Sequence, residues 1–210
     1  SLVFPDTYRE TNFSVSNLQG CSKLKYLYIP NSTMAITEAK DESGNVVLDF
    51  EGFLQTLPEE FYIEGQDPSN IHNVCKENAI AFKYIGQDLY EKIIIDDKGT
   101  ESTSDDARLT WQVNSLDELV NFNLDGETEN VEIVDKIGPY SIKELSADCF
   151  SGNCNLVKIT IPSSITTIKA GAFKGCHNLH DVIFKSPCNL ATIEDGAFDT
   201  QECSTNYDSG

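Results

Sequence analysis

Three histidines (His72, His177 and His180) and seven cysteines (Cys21, Cys75, Cys149, Cys154, Cys176, Cys188 and Cys203) are the residues of this 210-residue chain best suited to nucleophilic or metal chemistry. A thiol nucleophile needs an imidazole beside it in space. Cys176 and His177 are neighbours in sequence, which points their side chains apart, Cys176 inward and His177 outward. A zinc site built from Cys149, Cys154, Cys176, His177 and His180 lacks the close Cys-x-x-Cys or His-x-x-x-His spacings that pre-arrange tetrahedral ligands. Gly171 to Gly175 is a Gly-x-x-x-Gly with no Lys-Ser or Lys-Thr at phosphate-loop distance, so it reads as a turn. The acidic stretches Asp41 to Asn45 and Asp96 to Asp106 do not fit the calcium-loop template, which leaves at most a weak adventitious cation site. Acid–base work by the second stretch would need two carboxylates converging across roughly 5 to 10 Å, and the sequence gives no sign of it. No catalytic residue, metal ligand or cofactor is assigned. Asn12-Phe-Ser14 and Asn31-Ser-Thr33 fit the glycosylation sequon, which matters only in a eukaryotic source.

The elements that carry these residues announce themselves by repetition. Leu156-Val-Lys-Ile159-Thr-Ile161-Pro162 is followed by Ile165, Ile168 and Gly171-Ala-Phe173-Lys-Gly-Cys176, and then Leu179-His-Asp-Val182-Ile-Phe184 leads to Ile193 and Gly196-Ala-Phe198. Phe150 and Phe173, Leu156 and Leu179, and Ile161 and Phe184 are each 23 apart, a period that points to a solenoid. Within a unit, Ile159 and Ile161 share one face of a short strand and Thr160 faces the other way. Pro162 ends the strand because it has no amide hydrogen for a ladder. Ile165 and Ile168 return inward, and Gly171 and Gly175 flank Phe173 where a tight bend is needed.

This pattern resembles the BspA-like, or treponemal-type, leucine-rich repeat of bacterial surface proteins. Nearly every motif position is filled over residues 131 to 198, and the match is looser elsewhere. The resemblance implies a β-rich α/β solenoid: a leucine-rich-repeat right-handed superhelix of about six coils with short 3-10 or helical outer segments. It also implies a non-enzymatic extracellular or cell-surface binding module, engaged in adhesion or in protein–protein and host-matrix interaction.

Read in order, residues 1 to 85 are irregular coils of a single domain. Leu24-Lys-Tyr-Leu27-Tyr-Ile29-Pro30 matches Leu156 to Pro162 position for position, and Phe13 takes the place of Ile168. Asp41 to Asn45 is a turn joining short strands near Ala35 and Val46 to Leu48. Pro58, Phe61 and Ile63 fill the three strand slots of a second coil. Ser69 caps a short one-sided helix that ends near Asn78, where the left-handed conformation comes easily, and Ile80 to Tyr84 alternates as a strand. Residues 86 to 130 form a hairpin insertion, with Ile93 to Ile95 as a strand and Leu109 to Val113 paired to Leu119 to Phe122; a helix over 115–122 is the alternative. The polar stretch Asp96 to Asp106 between them is expected to be mobile. Regular repeats occupy 131–198 and a polar tail 199–210. The chain begins without Met, inside a repeat, and we expect a fragment or a mature form whose export and anchoring signals have been removed.

Charge narrows the partners. With 34 acidic against 15 basic residues, the net charge is -19 and the pI about 4.3, a field that disfavours nucleic acid and anionic membrane surfaces. No run approaches the roughly 18 to 20 apolar residues of a membrane span, and a monomer is expected. Cys21 and Cys176 occupy the same repeat slot, which favours buried thiols acting as small apolar residues over a disulfide framework. What remains is surface. Outward positions on the strands include Glu132, Thr160 and Ile183, and from them we expect a ligand-binding face of Tyr26, Tyr28, Tyr62, Glu64, Lys83, Lys158 and Asp181, since Tyr gives large contact area at low entropic cost. The other reading is that Tyr simply suits a strand. The expected ligand is an extracellular protein or glycan. The rival function is a structural spacer, which predicts no aromatic clustering on that face; an enzyme acting on a surface glycan is the third.

Overall fold

A parallel strand has no local partner, so each strand here is fixed by the coils before and after it. The structure, a computed structural model, describes residues 1–5, 12–48, 52–53, 56–96, 106–126, 128 and 130–200. It divides into two compact units, Ser1–Ile94 with Ile137–Pro139, and Ile95–Lys136 with Tyr140–Gly210. The stretch 97–105 and most of the C-terminal tail lie outside the described residues.

In the first unit β1 (Leu2–Val3), β3 (Tyr26–Ile29), β7 (Tyr62–Gly65) and β8 (Ala81–Tyr84) run parallel, and β9 (Tyr90–Asp96) pairs antiparallel with β8. Leu27, Ile63 and Phe82 stand in register and are buried. Across the core β2 (Asn12–Ser14) pairs in parallel with β4 (Ala35–Thr37), setting Phe13 beside Ile36. A 3-10 turn, Val15–Leu18, follows β2 and is capped by the Ser14 hydroxyl. The turn at Asp41 joins β5 (Ala39–Lys40) to β6 (Val46–Leu48), not the strand at Ala35. Its carboxylate accepts the backbone N–H groups of Ser43 and Asn45 and the Asn45 side-chain amide, bonds that hold the carboxyl below its ordinary range. That is the work of a turn residue.

Two expectations are corrected here. Leu27 lies opposite Ile63, not Phe61, so the second coil is shifted by two residues and Gly65 occupies the slot of Ile29. A side chain there would crowd Phe82, because a Cβ on Gly65 would sit 3.1 Å from the ring and 3.3 Å from the Ile29 carbonyl oxygen. The left-handed residue after the helix is Ala79 (φ 51), while Asn78 keeps φ -114. The reason is local: the Asn78 side-chain amide and its backbone N–H both donate to the Val74 carbonyl, at 2.9 and 3.1 Å, which holds Asn78 on the helix. The helix itself, α1 (Asn70–Glu77), starts where the Ser69 hydroxyl accepts the His72 N–H and buries Ile71, His72 and Cys75.

In the second unit the repeats stack as two ladders. On one side β12 (Asn130–Glu132), β16 (Lys158–Ile161) and β18 (Asp181–Phe184) are parallel, with Val131, Ile159 and Val182 in register. A short turn follows β12, with arms β13 (Lys136–Ile137) and β14 (Tyr140–Ser141). On the return side β15 (Glu144–Leu145), β17 (Thr167–Ile168) and β19 (Thr192–Ile193) align Leu145, Ile168 and Ile193. Antiparallel β10 (Ala107–Val113) and β11 (Glu118–Asp125) set Trp111 opposite Phe122, and no helix forms over 115–122. The hairpin is no appendage, because β11 pairs in parallel with β15 and continues the return ladder.

The bend before each ring repeats too. Asp148, Gly171 and Gly196 hold one slot at φ 59, 73 and 78, the left-handed region that glycine enters at no steric cost. Behind those bends Phe122, Phe150, Phe173 and Phe198 form a continuous stack with centroids 4.8, 4.9 and 4.8 Å apart. Where the stack ends, expected inward positions are open: Phe184 is 38% and Ile193 49% exposed, since no later coil among the described residues covers them.

Phe173 is fully buried between two rings. Phe173→Ala should cost about 3 to 5 kcal/mol, read as a lower denaturant midpoint; an unchanged midpoint would refute this packing.

Candidate functional site

Outward positions of the first unit's sheet gather rather than scatter. Tyr26 and Tyr62 lie opposite each other on β3 and β7 and their rings stack, centroids 5.4 Å apart and planes 13° from parallel. Tyr90 on β9 meets Tyr62 edge-on at 5.3 Å. Beside them the Lys83 ammonium bonds Glu64 at 2.9 Å and lies 5.8 Å from the centre of the Tyr90 ring. Tyr28 stands opposite Glu64. Tyr26, Tyr28, Tyr62, Glu64 and Lys83 are all half-buried, and burial pushes the Tyr62 phenol up.

Lys158 and Asp181 belong to the second unit, where they face each other across β16 and β18, Lys158 half-buried and Asp181 exposed. The structure therefore brings five of the seven expected residues onto one sheet face and pairs the other two on another sheet. Sequence reasoning missed Tyr90, although its place in a strand two residues before Lys92 puts both on one face.

It also missed what surrounds His72. The ring is 2% exposed, with Nδ1 hydrogen-bonded to Asp67 at 2.6 Å and Nε2 to Glu91 at 2.8 Å. Tyr84 donates its hydroxyl to the second Glu91 oxygen at 2.8 Å, and Phe82 stacks on the imidazole at 4.2 Å. Glu91 faces inward because it pairs with Phe82 across β8 and β9. A buried carboxylate held by two donors is a structural tie between helix and sheet. The nearby Cys75 thiol is pushed up by burial and then by the Glu91 charge, the opposite of what a nucleophile needs.

Cys176 and His177 divide as expected, Cys176 buried and His177 exposed. The Cys176 thiol donates to the Phe150 carbonyl at 3.0 Å, and burial raises it to about 11. Cys21 does not follow its repeat partner. It is exposed, because Cys176 is covered by the coil carrying Phe150 whereas no described coil covers Cys21 on that side. Cys154 is disulfide-bonded. Among the described residues no three or more His, Cys, Asp or Glu side chains gather as a metal site, and no helix is long and apolar enough to cross a membrane.

Residues 127–207 match the family model described as a BspA type leucine rich repeat region, in six copies. No curated protein and no solved structure matches the chain.

The thiols give a direct check on these environments. Under native conditions a maleimide should label Cys21 and Cys188, both exposed and free, and spare Cys75, Cys149 and Cys176 until denaturant is added. Peptide mapping that finds Cys176 labelled as fast as Cys21 would contradict the stacked coil over it.

Proposed function

From residues 127–207 being a BspA-type leucine-rich repeat region, a kind of protein-interaction module, we propose that the protein is a non-enzymatic binding module. In this reading it works outside the cell or at its surface, in adhesion to another protein, a host matrix or a glycan, and its coils follow the right-handed superhelix of such repeats. The ligand meets the face formed by Tyr26, Tyr28, Tyr62, Glu64 and Lys83. Lys158 and Asp181 supply a second, smaller charged patch.

The observation that carries the proposal is the half-exposed Tyr26–Tyr62 stack. Strand propensity accounts for tyrosines in strands, but not for a stacked pair braced edge-on by the buried Tyr90 ring beside a Lys–Glu pair. A rigid pair of aromatic faces flanked by charge is the composition of a binding hot spot. A spacer has no use for such a cluster on its outer surface.

A screen of the chain against matrix proteins and glycans tests this, with a Tyr26→Ala/Tyr62→Ala double variant run beside it. We expect at least one ligand, and a loss of about tenfold or more in the variant, equivalent to roughly 1.4 kcal/mol, with its melting curve little changed. A silent screen favours the spacer; a ligand indifferent to the double variant moves the site elsewhere.

A further inference from the structure

The two ring contacts of His72 set a proton count. Nδ1 stands 2.6 Å from the Asp67 carboxyl group and Nε2 stands 2.8 Å from that of Glu91. An ionised carboxylate can only accept, and a neutral imidazole donates from one nitrogen and accepts at the other. A neutral ring would therefore satisfy one carboxylate and turn a lone pair on the other. Two contacts of this length need two protons, and the second stands either on the ring or on a carboxyl group. Three observations place it on the ring. Asp67 is 43% exposed, so water solvates its charge. Glu91 accepts the Tyr84 hydroxyl on its other oxygen at 2.8 Å, a bond that favours the charged form. Phe82 lies over the imidazole at 4.2 Å with planes 19° apart, and an aromatic face attracts a cation.

We propose that His72 is held as an imidazolium, a charged clasp locking α1 to β9 and to the segment carrying Asp67, and that the clasp opens when the ring gives its second proton to solvent. The titratable groups about the ring come from each element packed on it: Asp67 before the helix, Cys75 on α1, Tyr84 on β8 and Glu91 on β9. The Cys75 thiol is pushed up by burial and then by Glu91, so it stays uncharged and takes no part in the change. Lys76, one turn further along α1, is half-buried. The Ser69 hydroxyl holds the backbone N–H of His72 and not its ring, which keeps the helix cap separate from the clasp. With one proton gone, a carboxylate faces a lone pair where little water screens it. Tyr90 precedes Glu91 on β9 and braces Tyr62, so the same opening withdraws support from the tyrosine face. The clasp does not depend on the binding role proposed above.

Nitrogen-15 labelling of the histidines tests this by NMR, with the exposed His177 and His180 as internal references. At neutral pH both ring nitrogens of His72 should carry slowly exchanging protons, which neither reference shows. As the pH is raised, loss of the second His72 proton should coincide with a fall of about tenfold or more in amide protection factors over 70–77 and 90–92, measured against 158–161 in the second unit. In Glu91→Gln the uncharged amide can donate to Nε2, so a neutral ring bonds at both nitrogens. That variant should show one ring proton on His72 at neutral pH and no coupled fall in protection. A single ring proton on His72 in the unaltered chain at neutral pH overturns the imidazolium. Proton loss that leaves protection over α1 and β9 unchanged overturns the clasp. Should Glu91→Gln fail to fold, the ring signals and protection factors of the unaltered chain decide.

Discussion

A coil one strand deep has no interior of its own; it becomes a fold only when the next coil lays its inward side chains on top. Everything regular in this protein follows from that dependence. Ile159 is buried only with Val131 and Val182 beside it, and Phe173 only between Phe150 and Phe198. The demand falls on every second strand residue, so the alternate positions are released from packing and are free to carry Tyr, Lys and Glu.

The first unit shows what happens when the pattern is broken. β9 returns antiparallel and places Glu91 where a repeat would place an apolar residue. Burying one carboxylate is expensive, and the sequence offsets it with His72 from the helix and Tyr84 from the neighbouring strand. The same reversal turns the buried Tyr90 ring toward Tyr62 and Lys83, so the support beneath the candidate binding residues and the buried tie have one origin. The second unit accommodates its antiparallel hairpin differently, by letting Trp111 and Phe122 join the aromatic core.

The coils of the second unit were legible in the sequence because their period and their glycines speak together, as were the Ser69 cap and the pairing of Leu109 to Val113 with Leu119 to Phe122. The slip at Phe61 was not. A shift of two preserves which side chains point inward, and both Phe61 and Ile63 are buried, so hydrophobicity could not choose between registers; only Gly65, needed under the Phe82 ring, could. Cys21 and Cys176 share a local sequence but not a neighbour, and burial is set by the neighbour. The tyrosine cluster was half visible: Tyr26 and Tyr62 fall in matching slots, whereas Tyr90 arrives by a turn that belongs to no repeat.

The ring-to-ring distances in the second unit, between 4.8 and 4.9 Å, equal the roughly 4.7 to 4.9 Å between paired strands. Each coil thus advances by one strand width whatever its own length. Phe122 to Phe150 takes 28 residues, Phe150 to Phe173 takes 23 and Phe173 to Phe198 takes 25, yet the pitch is constant. Girth and pitch are separate variables, so loops can lengthen or shorten over evolutionary time without disturbing the spacing at which the outer side chains are presented.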